Sequence, residues 1–101
     1  MSLKSEIKEL VEKFNKLKVN FALMQCTSKY PTKLNEVGLQ MMHDFRSLYK
    51  CLVGLSDHSG TIYPSLLALA QGCDFLEVHT TFDKRIFGPD SLSSLDIKEL
   101  E

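Results

Sequence analysis

Leu3, Ile7, Leu10, Val11, Phe14 and Leu17 recur at the three-and-four spacing of one helix face, with lysines and glutamates between them. Residues 3–18 therefore read as an amphipathic helix whose charged side is solvated, with Glu9–Lys13 and Glu12–Lys16 as i,i+4 pairs. The pattern changes at residues 19–26, VNFALMQC, to a continuous apolar run of strand length. TSKYPT then makes a turn, with Pro31 ending the strand. A stripe of Leu34, Val37, Met41, Phe45 and Leu48 predicts a second helix from about residue 34 to 49. Its methionines read as core filler, and His43 falls on the outer face.

CLVGLS, residues 51–56, is a second short strand. Residues 61–71 form a third helix, with Thr61 placed to cap it, Pro64 in its first turn and Gly72 at its left-handed stop. CDFLEVH, residues 73–79, is a third strand, followed by a long polar loop containing FGPD. LDIKELE, at the end, opens a further helix. Strict alternation of helix and strand with short connections implies parallel strands joined by right-handed crossovers, so the class is α/β. Three parallel strands leave two unpaired edges and too few helices for both faces. The expectation is a segment of a larger sheet or barrel, truncated at both ends, that self-associates through its open surfaces as a homodimer or larger assembly.

At 101 residues the chain is at most one ordinary domain. Its 44% hydrophobic and 25% charged content is that of an average soluble globular chain and argues against disorder. The net charge of −1 without a basic stripe removes the electrostatic case for nucleic acid. No apolar run approaches a membrane span, and the charged start is no signal peptide. Cys26, Cys51 and Cys73 are an odd number without a C-x-x-C spacing, each beside an apolar run. They read as buried thiols of a cytoplasmic protein rather than as a zinc site.

Residues i and i+2 share one face of a strand. Ser56 with His58 and Glu77 with His79 are such pairs, and Ser28 with Tyr30 repeats the spacing after the first strand. All lie at C-terminal strand ends, where parallel α/β folds bind ligands. Neighbouring strands are about 4.8 Å apart, so two imidazoles on adjacent strands can share one divalent cation. Water or substrate oxygens would complete a shell suited to manganese or magnesium. Asp57 and Glu77 could orient the imidazoles or bind the metal. The competing reading makes each histidine a turn or core-edge residue, Asp57 and Ser59 turn or cap residues, and Asp90 of FGPD a turn residue.

CTSKYPT, VGLSDHSG, LEVHTTFD and GPDSLSSL, in that order and spacing, resemble the sialic acid synthase family from about Phe21 onward. That family makes nonulosonic acids such as N-acetylneuraminate. The resemblance implies that residues 1–101 are part of a TIM-type (β/α)8 barrel, its last three strands with the intervening helices. It implies a synthase that condenses phosphoenolpyruvate with an N-acetylated amino sugar such as N-acetylmannosamine, with release of phosphate. It further implies a Mn2+ or Mg2+ cofactor held by His58 and His79. Ser56 and Ser28 match positions facing phosphoenolpyruvate, Tyr30 and Asp90 match positions near the amino sugar, and Glu77 matches an acidic, catalytic position. HTTFD after the metal histidine and Gln25 in place of a histidine depart from the common pattern, which leaves the acceptor sugar open. The family's phosphate-binding lysines lie on earlier strands, so these 101 residues alone are expected to be inactive. A non-catalytic self-associating module and another metal-assisted aldolase-type barrel are the alternatives.

Overall fold

A computed structural model describes residues 2–101. Helix α1 (Lys4–Leu17) leads to strand β1 (Ala22–Cys26), then helix α2 (Gln40–Tyr49), strand β2 (Leu52–Asp57), helix α3 (Tyr63–Ala70) and strand β3 (Phe75–Thr81). Strand β4 (Ser94–Asp96) and helix α4 (Ile97–Leu100) follow. The strands form one parallel sheet in the order β1-β2-β3-β4. The class is α/β, as the alternation predicts.

The sheet has four strands where the apolar pattern predicts three. The extra strand pairs His79 with Ser94, Thr80 with Leu95 and Thr81 with Asp96. Three residues, two of them polar, carry no period of their own; their strand character comes from pairing with β3. Two further expectations shift. The second helix is broken near its start, because Gly38 takes a left-handed φ of 73° between a 3-10 turn at Leu34–Glu36 and α2. Thr61 does not cap α3: Ile62 holds that position without a side-chain bond. Pro64 in the first turn and Gly72 with φ 74° are as expected.

Alternation along the strands separates two faces. Val53 and Leu55, each 0% exposed, lie with Val37, Met42, Phe45 and Ala68 in the core beneath the helices, joined by Leu23 and Ile7. The opposite face carries Met24, Leu52, Ser56, Phe75 and Glu77, and its apolar members stand open to solvent: Met24 is 36%, Leu52 51% and Phe75 47% exposed. Helices therefore cover one side only. The three thiols are free and half-buried, and burial pushes that of Cys51 up. No helix among the described residues is long and apolar enough to cross a membrane.

One polar staple locks α2 to the sheet at the strand starts. Arg46 Nη2 donates to Gly72 O at 2.7 Å and to Asp74 Oδ2 at 2.6 Å. The same carboxylate oxygen accepts Val53 N–H at 2.9 Å. That backbone bond, with the Arg46 guanidinium, holds the Asp74 carboxyl below its usual range. A carboxyl depressed in the fold adds stability that is present above its unfolded pKa and is lost as pH falls through its folded value. Asp74→Asn is expected to unfold at lower urea than wild type at neutral pH, with the gap closing as pH falls below about 4. A gap of constant size across that range would show that the ionised carboxylate is not what the staple uses.

Candidate metal and substrate site

Register sets this site. β2 and β3 pair in parallel with Ser56 opposite Glu77, so His58 and His79, each two residues further on, leave their strands side by side on the same face. Their ring centroids are 4.9 Å apart and the planes are inclined at 72°. One layer below, Cys26 stands opposite Ser56, and the Ser56 hydroxyl donates to Glu77 Oε1 at 2.6 Å. β2 and β3 thus each deliver two layers of polar groups to one end of the uncovered face.

His58 is held through Nδ1. It is 4% exposed, and its Nδ1 lies 3.1 Å from the main-chain oxygen of Thr27. A carbonyl only accepts, so the neutral ring carries its proton on Nδ1 and keeps the Nε2 lone pair. His79 Nδ1 lies 3.9 Å from Asp90 Oδ2, a longer approach in the same sense. Tyr30, which follows a loop ending in the cis Tyr30–Pro31 peptide, lays its ring 4.4 Å from that of His58 and 5.7 Å from that of His79. Its Oη is 3.5 Å from His58 Nε2, the outer limit of a hydrogen bond.

Asp57 does not reach the imidazoles. It is buried and turned the other way, accepting Ser59 N–H and the Ser59 hydroxyl, each at 3.0 Å. Of the two readings of Asp57, the turn residue is the one observed. Gly60 completes this turn: with φ 69° it packs so closely on the loop before β4 that a Cβ there would collide with the Leu92 carbonyl. Lys84 ties the same turn to the chain's end, donating to Gly60 O at 2.8 Å and pairing with Glu99 Oε2 at 2.5 Å.

The structure brings together Tyr30, Ser56, His58, Glu77, His79 and Asp90. Ser28 is exposed in the loop after β1 and shares an open cleft with Leu3, Ile7 and Met41. No hydrogen bond among the described residues joins it to the histidines. A cleft of about 770 Å3 lies at the opposite end of the sheet, lined by Asn20, Phe21, Arg46, Lys50 and Leu52, and has no part in this cluster. Two contributors escape sequence reading, Thr27 and Thr32. The first acts through its carbonyl, which any residue owns; the second works within CTSKYPT as an apparent turn residue.

Among the described residues, no group of three or more histidine, cysteine or acidic side chains is gathered around one point. The donor set is two imidazoles: His58, with Nδ1 on a carbonyl and Nε2 left as the donor, and His79, whose Nδ1 faces Asp90 at 3.9 Å. That set fits a divalent cation whose remaining positions are filled by water or substrate oxygens, and it does not fit a closed structural metal site.

The NeuB family profile matches residues 1–101. The chain belongs to the NeuB family. It is 43% identical over 82 residues to the N,N'-diacetyllegionaminic acid synthase of Campylobacter jejuni, a stretch covering 81% of this chain and 25% of that protein. It is 35% identical over 95 residues to the human N-acetylneuraminate-9-phosphate synthase, covering 93% of this chain and 26% of that one. Among solved structures, the N-acetylneuraminic acid (sialic acid) synthetase of Leptospira borgpetersenii, in complex with citrate, matches with a TM-score of 0.90 and 37% identity. That match covers 99% of this chain and 35% of the synthetase. The NeuB chain thus has the parallel β/α architecture of a TIM-type barrel enzyme, and it spans about a quarter of the length of the curated relatives it matches.

Proposed function

We propose that this NeuB chain is the metal-binding and substrate-facing portion of a nonulosonic acid synthase. The proposed enzyme is a cytoplasmic, carbon–carbon bond-forming transferase that condenses phosphoenolpyruvate with an N-acetylated amino sugar, such as N-acetylmannosamine, and releases phosphate. The observation that carries this reading is the pair of imidazoles 4.9 Å apart at the ends of adjacent parallel strands, within a chain whose relatives are sugar acid synthases.

His58 and His79 would hold a Mn2+ or Mg2+ ion through Nε2. Such an ion, when bound, would act as a Lewis acid toward an aldehyde oxygen. The protein's own groups do the rest. Ser56 presents a hydroxyl to the anionic enol ester, and Glu77, already the acceptor of the Ser56 proton bond, is the carboxylate able to take or return a proton in that layer. Tyr30 offers a flat ring and a phenol beside the imidazoles, and Asp90 a carboxylate at the rim, where an amino sugar's hydroxyls can be met. Ser28, in the separate cleft of the flanking loop, is assigned to phosphoenolpyruvate by the family resemblance and not by contact with this constellation.

In a Mn2+ titration followed by electron paramagnetic resonance, His58→Ala and His79→Ala should each weaken binding at least about tenfold. Equal affinity in wild type and both variants would sink the metal assignment.

None of these site residues is cationic, and two lysines of the flanking loops are already paired: Lys29 with Glu36 at 2.6 Å, and Lys84 with Glu99. A phosphate ester needs charge that this constellation does not supply. The 101-residue chain with phosphoenolpyruvate, N-acetylmannosamine and Mn2+ should therefore release phosphate at the background rate. Turnover well above background would refute the incompleteness of the site.

A second reading, a self-associating module, is favoured by the open apolar strip of Met24, Leu52 and Phe75. Burying such a strip against another copy removes it from water, so the chain should elute as a dimer or larger species in size-exclusion chromatography. A monomer at every concentration would exclude this.

A further inference from the structure

The loop from Thr27 to Thr32 grips His58 on three sides. The Thr27 carbonyl faces Nδ1 at 3.1 Å, the Tyr30 ring lies 4.4 Å from the imidazole, and Thr32 N–H donates to the His58 main-chain oxygen at 2.9 Å. Two groups close this loop on itself: Lys29 N–H, which donates to Thr27 O at 2.8 Å, and the Thr32 side chain. Its Oγ1 lies 2.8 Å from Lys29 O and 3.3 Å from Thr27 O, so one hydroxyl proton is shared between two carbonyls, the nearer being that of Lys29. Thr32 is buried, although threonine is a mostly exposed residue type. A buried hydroxyl with two acceptors is set by its surroundings and in turn sets them.

We infer that Thr32 is a positioning residue for His58: its hydroxyl, by tethering the Lys29 and Thr27 carbonyls, keeps the Thr27 oxygen against Nδ1 and the Tyr30 ring against the imidazole. The consequence is the tautomer with the proton on Nδ1 and the lone pair on Nε2. An imidazole without a fixed acceptor at Nδ1 distributes its proton over both nitrogens, and an Nε2 that bears hydrogen is no ligand. For its functional meaning the inference rests on the metal reading of His58 above; its structural readout needs no metal.

The bond pattern separates main chain from side chain. Thr32→Val keeps the shape of the side chain, the N–H to His58 O and the Lys29 N–H to Thr27 O, and removes only the hydroxyl that ties both carbonyls to Thr32. Thr32→Ser keeps the hydroxyl and removes a methyl. A role in packing alone would make valine the better substitute; a role through the hydroxyl makes serine the better one.

The test is a long-range 1H–15N correlation spectrum of the full chain labelled at histidine, recorded at about pH 8, where an ordinary imidazole is neutral. Wild type and Thr32→Ser should show His58 with Nδ1 protonated and with ring protons shifted by the neighbouring Tyr30 ring. Thr32→Val should show mixed tautomers and a smaller ring shift, and should bind Mn2+ about tenfold more weakly, with Thr32→Ser near wild type. An Nε2-protonated His58 in the wild-type chain overturns the inference without recourse to any variant, so a Thr32→Val chain that fails to fold does not shelter it. A folded Thr32→Val chain with wild-type tautomer and ring shifts overturns it equally. The predicted tautomer change without Mn2+ binding by any of the chains would uphold Thr32 as the positioning residue and sink the metal reading alone.

Discussion

Parallel pairing of β2 with β3 in one register, Ser56 opposite Glu77, is the constraint on which the site depends. Because side chains alternate along a strand, a slip of one residue in β3 would turn Glu77 and His79 to the helix side and leave Leu76 and Val78 on the open face. The slip is opposed from both ends. At the strand starts, Asp74 accepts Val53 N–H and the Arg46 guanidinium, and Asp74 N donates to Val53 O at 2.7 Å. At the far end β4 takes His79 as the partner of Ser94. Polar bonds fix the register, and the apolar core then makes it costly to change: Leu55 is fully buried, and replacing such a leucine with alanine costs about 2–5 kcal/mol.

The end of β2 and the turn after it show how polar groups are buried without loss. Ser56, Asp57, His58, Ser59 and Gly60 are all buried, four of them polar. An unpartnered polar group in such a place costs about 1–3 kcal/mol. Here Ser56 gives its proton to Glu77, Asp57 accepts twice from Ser59, and His58 turns Nδ1 to a carbonyl. The group left over is His58 Nε2, touched only at 3.5 Å by a phenol that sits on a half-exposed side chain. A nitrogen kept available while its neighbours are satisfied is what a ligand-binding imidazole requires.

Much of this was legible in the sequence, for a reason that also marks the limit. Period-two spacing finds Ser56 with His58 and Glu77 with His79, because a face is a local property of one strand. It cannot say that the two pairs align, since register is decided by bonds between strands, yet VGLSDHSG and LEVHTTFD as a family resemblance supplied that missing relation. The fourth strand was illegible because Ser94–Asp96 is polar, short and defined by its partner. Thr27 was illegible because its carbonyl acts, and Thr32 because a threonine after Pro31 reads as one more turn residue. Asp57 could be read two ways, and only the direction of its side chain chose between them.

The one-sided cover of the sheet follows from the same alternation and explains why the uncovered face can hold chemistry at all. A sheet packed by helices on both faces presents apolar side chains to both, as parallel sheets generally do. Here the helix-side positions of β2 are Val53, Leu55 and, at the strand end, the turn residue Asp57, whereas the other side runs Leu52, Gly54, Ser56, His58 from strand start to strand end. Apolar residues occupy the lower layers of that face and polar residues the upper ones, the same gradient appearing from Phe75 to His79 on β3. That layering is the interior of a barrel read along two of its strands: apolar filler below, polar groups at the carboxyl ends. An isolated flat sheet has no reason to grade one of its faces in this way; a closed barrel with its site at one mouth does.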